Sequence, residues 1–151
     1  MTAPVRSAEI RVRRARAADV SQLAGLCGQL GYPSSVDEVS KRLAGIELAA
    51  EHVVFVAETH SGVLAGFLSA FVMRTLESDA NVEIGALVVD EQHRSQGVGE
   101  LLMEKAENWA LENGCVLVRL RSNVIRERAH RFYERLGYEH YKTQKAFRKN
   151  L

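Results

Sequence analysis

The chain has 151 residues and a net charge of +1, from 20 Lys and Arg against 19 Asp and Glu. That length suits a single domain, 1–151, with one hydrophobic core, and 46% apolar with 26% charged residues excludes a disordered chain. The near-neutral sum argues against a nucleic-acid binder, and no run approaches the ~18 apolar residues of a membrane span. The Arg-bearing start lacks the apolar segment of a secretory signal, so a cytoplasmic protein with residues 1–7 as a flexible N-terminus is expected.

The sum hides a split. Residues 17–117 carry 5 basic and 15 acidic side chains, whereas 1–16 and 118–151 together carry 15 basic and 4 acidic. From Thr75 to His93 there are five carboxylates and no Lys or Arg. Such runs are usually solvated surface, and they gain meaning only beside a charged ligand. Cys27 and Cys115 lie in apolar stretches without CxxC or ligand spacing, so buried thiols are expected and neither a disulfide framework nor a metal site.

In chain order, Ile10 and Val12 alternate with Arg11 and Arg13 as a short strand. Asp19 is a candidate N-cap for a helix through Val20, Leu23, Leu26, Cys27 and Leu30, closed by Gly31-Tyr32-Pro33. Ser35 and Glu38 make a capping-box pattern for a second helix to Ala50. Val53–Ala57 reads as a buried strand, His60-Ser61-Gly62 as a hairpin turn, and Val63–Met73 as the return strand. Val82–Val89 is a further strand, and Val98–Asn113 a helix with Trp109 on its apolar stripe and Gly114 as its stop. A strand at Cys115–Leu120, a helix at Glu127–Leu136 and one or two strands within Tyr138–Phe147 complete the order. Hairpins followed by a β–α–β crossover predict an α+β (mixed α/β) fold. Its sheet is mixed and mostly antiparallel, with six to seven strands and about four flanking helices.

The segment with most chemistry runs from Ile84 to Leu102, where a strand passes through a polar loop into a helix with two glycines in its first turn. A helix N-terminus offers unpaired N–H groups and partial positive charge, and glycines let a phosphate approach that backbone. Arg94 adds a cationic fork. A Walker loop is excluded because Glu100 and Leu101 follow the glycines, and a dinucleotide fingerprint because Leu102 stands where a third glycine belongs. What remains is Arg94-Ser95-Gln96-Gly97-Val98-Gly99, an Arg-x-x-Gly-x-Gly pattern.

With a second pattern, Ala129-His130-Arg131-Phe132-Tyr133-Glu134-Arg135-Leu136-Gly137-Tyr138, the sequence resembles the GNAT superfamily of N-acetyltransferases. The resemblance implies a GNAT-like fold and transfer of acetyl from acetyl-CoA to a primary amine by direct attack, without an acyl-enzyme or a metal. It assigns Arg94, Ser95, Gln96, Gly97, Val98 and Gly99 to the pyrophosphate. Leu87, Val88 and Val89 would pair with the pantetheine arm, an N–H of Leu87 or Val88 donating to the thioester carbonyl. Gly85-Ala86 suits a locally opened or bulged strand. Many relatives carry Asn seven residues before the tyrosine, where this chain has Arg126; Asn123 or Arg126 is expected to serve instead.

Tyr133 is the candidate general acid, since a phenol of ordinary pKa ~10 can give its proton to a departing thiolate. Glu83, a carboxylate in an apolar strand, is the candidate base, the alternative being an outward-facing edge residue; burial would strengthen it as a base. Glu77 and Asp79 are expected to attract a cationic amine and Tyr32 to line the acceptor pocket. His93 and His130 read as surface or helix-facing residues. The acceptor stays open among small amines, polyamines, aminoglycosides and protein amines. A catalytically silent CoA sensor is the alternative, and a homodimer is possible by family habit.

Overall fold

The computed structural model describes residues 9–151, so the N-terminal segment expected to be flexible lies outside the described residues. The chain groups into two compact units, Met1–Leu120 and Arg121–Leu151.

In the first unit, strand β1 (Ile10–Arg14) leads to helices α1 (Val20–Leu30) and α2 (Val36–Leu48). Strands β2 (His52–Thr59), β3 (Leu64–Met73) and β4 (Asn81–Val89) follow, then helix α3 (Val98–Glu112) and strand β5 (Val118–Leu120). The strands lie in sequence order in one sheet, antiparallel from β1 to β4 and parallel between β4 and β5. The expected mixed, mostly antiparallel sheet is therefore present, with three of the expected helices in this unit.

Two-residue alternation sorts the side chains onto two faces. Val56, Phe67 and Val88 stand in register on one face and pack with Leu23, Leu26, Val39 and Leu43 of α1 and α2. On the other face Phe55 meets Lys105 of α3, whose ammonium lies 5.7 Å from the ring centroid. Gly66 is required there: a Cβ would come within 2.5 Å of the Val88 carbonyl oxygen and 3.3 Å of Leu102 of α3. Trp109, Leu102, Met103 and Ala106 bury the apolar stripe of α3. No helix of the described residues is long and apolar enough to cross a membrane.

The α2 capping box forms as expected, Ser35 Oγ accepting from Glu38 N–H and Glu38 Oε1 from Ser35 N–H, both at 3.1 Å. Asp19 does not cap α1. Its carboxylate instead accepts from Arg13 at 2.8 and 2.9 Å and from the Arg16 N–H at 2.9 Å, because a nearby guanidinium makes the stronger charge-assisted bonds. Those bonds hold its carboxyl below the usual carboxylate range. Strand β5 is shorter than Cys115–Leu120: the Cys115 N–H donates to Ala110 at the end of α3, and Val116 and Leu117 are exposed. Cys115 is buried, but Cys27 is only half-buried.

The second unit contains helix α4 (Glu127–Arg135). The strands expected within Tyr138–Phe147 do not form among the described residues, which gives five strands in place of six or seven. Lys142, Lys145 and Arg148 recur at every third position and not at every second, as one face of a strand requires, and residues 139–151 are exposed without the neighbouring ladder that a strand's backbone groups need.

Candidate active site

Strand β4 changes character half-way along. Its register with β3 passes from Ala70 opposite Ile84 to Ser69 opposite Ala86, so Gly85 is an extra, exposed residue and forms a β-bulge. The bulge at Gly85-Ala86 is where small residues suggested one. A Cβ on Gly85 would stand 3.2 Å from Ser69 Oγ.

The bulge has an electrostatic consequence. Before it, the Val82 N–H donates to Leu117 O, on the β5 side; beyond it, the Asp90 N–H donates to Ala65 O, on the β3 side. Two-residue alternation then turns the Val88 amide toward β3 and those of Leu87 and Val89 away from it. Since β5 pairs only with Val82–Ile84, no strand among the described residues pairs with Leu87 and Val89 on that side, and their amides lie along an open edge of the sheet. Of the two candidates for a donor to a thioester carbonyl, Leu87 therefore faces the open edge and Val88 faces the sheet.

The open edge runs into the glycine loop. Arg94 is extended, Ser95 holds φ +63°, and Gly97 holds φ +81° as the N-cap of α3. That left-handed conformation favours glycine, and with no side chain at Gly97 the first-turn amides of α3 have no side-chain cap. Val98 and Gly99 are buried at the start of the helix, while Arg94 and Ser95 are exposed. Gln96 is half-buried, with a buried Oε1 that lacks a hydrogen-bond partner.

A brace ahead of this loop was not visible as a motif. Gln29, at the end of α1, donates to Asp90 Oδ1 at 2.7 Å and accepts from the Glu91 N–H at 3.0 Å. Asp90 Oδ2 lies 2.7 Å from His93 Nδ1, giving that half-buried histidine a structural partner. The Gln29 bond first, and then His93, hold the Asp90 carboxyl below its ordinary range. Both bonds of Gln29 cross more than 60 residues, a pairing that no local pattern encodes.

In the paired half of β4, Glu83 is 6% exposed between Phe71 of β3 and Arg119 of β5. It is thus no outward edge residue; Arg119 Nε stands 3.6 Å from its Oε1. Asn81, two residues earlier on the same face, is also buried. Glu77 and Asp79 are exposed in the β3–β4 loop, and Tyr32 is 70% exposed in the α1–α2 turn.

The second unit holds the remaining candidates. Asn123 Oδ1 accepts from the Ile125 N–H at 3.1 Å, and its carbonyl accepts from the Arg126 N–H at 3.0 Å, so this asparagine shapes the turn into α4. His130 Nε2 bonds the same carbonyl at 2.9 Å. Arg126 is exposed at the N-cap of α4. Tyr133 packs edge-on against Phe132 and Tyr138, with centroids 5.2 and 6.1 Å away. Burial pushes its phenol above the ordinary value, partly opposed by Arg126, so it is protonated at neutral pH.

The sequence model of the Acetyltransferase (GNAT) family matches residues 19–138. The chain belongs to that family. It is 42% identical over 66 residues to aminoalkylphosphonate N-acetyltransferase of Salmonella typhimurium, a match that covers 42% of this chain and 43% of the relative. The chain matches less than half the length of each of its curated relatives. In fold it is similar to glucosamine-6-phosphate N-acetyltransferase of Arabidopsis thaliana, with TM-score 0.83, 23% identity, and 93% and 99% of the two chains covered. It is also similar to an aminoglycoside N-acetyltransferase solved with CoA, at TM-score 0.83, 20% identity, and 94% and 95% coverage. GNAT membership joins the two sequence patterns, one in each compact unit, within a single matched region.

Proposed function

We propose that this GNAT chain is an acetyl-CoA-dependent N-acetyltransferase that moves the acetyl group directly onto a primary amine. One observation carries the reading: the bulged β4 turns the Leu87 and Val89 amides to an open edge that leads into the uncapped N-terminus of α3.

The residues fit a CoA thioester. The amides of Leu87 and Val89 can pair with an extended amide-bearing arm, as another strand would. The α3 amides behind Gly97, the Ser95–Gly97 loop and Arg94 suit a pyrophosphate, where dipole and guanidinium act together. Asn123 and Arg126 are the side-chain candidates from the second unit. Bound acetyl-CoA supplies an activated acyl carbon and a thiolate leaving group.

The protein's own groups do the rest. Glu83 takes the proton of the incoming amine, directly or through a water, so that nitrogen attacks with a free lone pair. The Leu87 N–H donates to the oxyanion that develops on the acyl oxygen. Tyr133, kept protonated by burial, donates to the departing sulfur. Exposed Glu77 and Asp79 draw ammonium groups toward the sheet, and Tyr32 borders their approach.

The test is thiol release from acetyl-CoA over a panel of amines, peptides and aminoglycosides. Release with at least one acceptor is expected. In Tyr133→Phe, turnover should fall about a hundredfold or more while the CoA Kd stays within about twofold. CoA binding without turnover on any acceptor overturns the enzyme reading and favours a silent sensor.

A further inference from the structure

Buried polar groups are nearly always hydrogen-bonded, so each exception asks what would satisfy it. Two exceptions flank Glu83. Asn81, 2% exposed, has an Oδ1 without a hydrogen-bond partner, its amide nitrogen meanwhile reaching the Asp79 carbonyl at 3.4 Å. Arg119 has a buried Nε without one, because 3.6 Å to Glu83 is an ion-pair distance and too long for a hydrogen bond. The two are complementary: one is an acceptor and the other a charged donor.

They also share a place. Arg119 stands opposite Glu83 in the β4–β5 register, and Asn81 precedes Glu83 by two residues, so all three side chains lie on one face of the sheet. On the other flank of Glu83 stands Phe71, stacked on His52 with centroids 5.4 Å apart. The Arg119 Nη2 contacts the sulfur of Met73, and its Nε lies on the Glu83 side.

We infer that Asn81, Glu83 and Arg119 form an acceptor subsite for a primary amine that also carries an oxyanion, a carboxylate or a phosphonate. The inference rests on the N-acetyltransferase reading and narrows its acceptor. The amine N–H groups meet Asn81 Oδ1 and the Glu83 carboxylate, and the oxyanion meets the Arg119 Nε–H. Such a zwitterion satisfies both orphaned atoms and leaves no charge unpaired. A polycation does neither, since its second ammonium would face the guanidinium. Glu77 and Asp79 weigh less against an anion, because exposed charges are screened by solvent and salt.

The experiment compares four primary amines with matched short chains in thiol release by the full chain: β-alanine, 2-aminoethylphosphonate, ethanolamine and 1,3-diaminopropane. The first two should exceed the others in kcat/KM, and their ratio to each other shows which oxyanion Arg119 prefers. In Arg119→Gln the preference for either anionic amine over ethanolamine should fall about tenfold to a hundredfold, the loss expected for one charge-assisted bond. Arg119→Lys, which keeps the charge, should restore part of it and also serves if the Gln variant folds poorly. A preference for ethanolamine or the diamine overturns the inference and leaves the acetyltransferase reading intact. So does an Arg119→Gln variant that slows all four amines equally, since a merely structural arginine would do that. Failure of all four, with release on an aminoglycoside or peptide, overturns only the subsite; failure on every acceptor overturns both.

Discussion

The two halves of β4 do different chemistry with the same backbone. From Val82 to Ile84 the strand is flanked on both sides, and what it offers is side chains. From Gly85 to Val89 it has one neighbour, and it offers amides. The switch is a single residue, since the Gly85 bulge changes which amides face outward without breaking the strand. A strand can thus build a carboxylate site and a backbone-binding edge a few residues apart.

The largest effect should come from removing the switch. Deleting Gly85 restores a regular ladder, so the residues beyond it must either reverse their faces or lose their pairing. Reversal would point Val88 away from the core it shares with Phe67 and Leu26. We expect loss of several kcal/mol of stability, of the order of a disrupted core, together with loss of CoA binding, read by thermal unfolding and calorimetry. Retained CoA affinity in a folded deletion variant would mean that the bulge is not what turns the Leu87 and Val89 amides outward.

A smaller change touches only the paired half. Glu83→Gln should lower kcat/KM about a hundredfold or more, the scale of a lost general base, while the CoA Kd holds. A variant that keeps the wild-type kcat/KM would take the base role from Glu83.

The smallest change reaches the open half from outside. Gln29→Leu removes both bonds that brace Asp90 and Glu91, and should cost about 1 kcal/mol at neutral pH. Because Asp90 titrates below its ordinary range when folded, its contribution is present above the usual carboxylate pKa and disappears as pH falls through the folded value. The difference from wild type should therefore shrink in acid, where denaturant melts at several pH values would show it. A difference constant with pH would mean that Gln29 acts by packing alone. CoA affinity should weaken a few-fold with the loosened loop.

What could be read before folding was local. Gly97 and Gly99 at a helix start, Ser35 with Glu38, and Gly85-Ala86 in an apolar strand each state a backbone requirement within a few residues. Glu83 was conspicuous as a carboxylate in an apolar strand. Asn81 and Arg119 were not, because what distinguishes them is burial and register beside Glu83, which depend on a strand 36 residues away. Gln29 looked like one more polar helix residue until α1 was laid against the end of β4. Two local patterns misled. Asp19 had the form of a cap but was captured by Arg13, and Tyr138–Phe147 reads as strand but has no ladder.

Residue type and short-range geometry were enough for the family patterns, the order of elements as far as α4, the glycine loop and the candidate acid and base. Only the folded chain shows that Leu87 and not Val88 turns its amide to the open edge, and that Glu83 stands beside two buried atoms without hydrogen bonds, Asn81 Oδ1 and Arg119 Nε. Hydrogen-bond direction and burial belong to pairs of strands, and no single strand carries them.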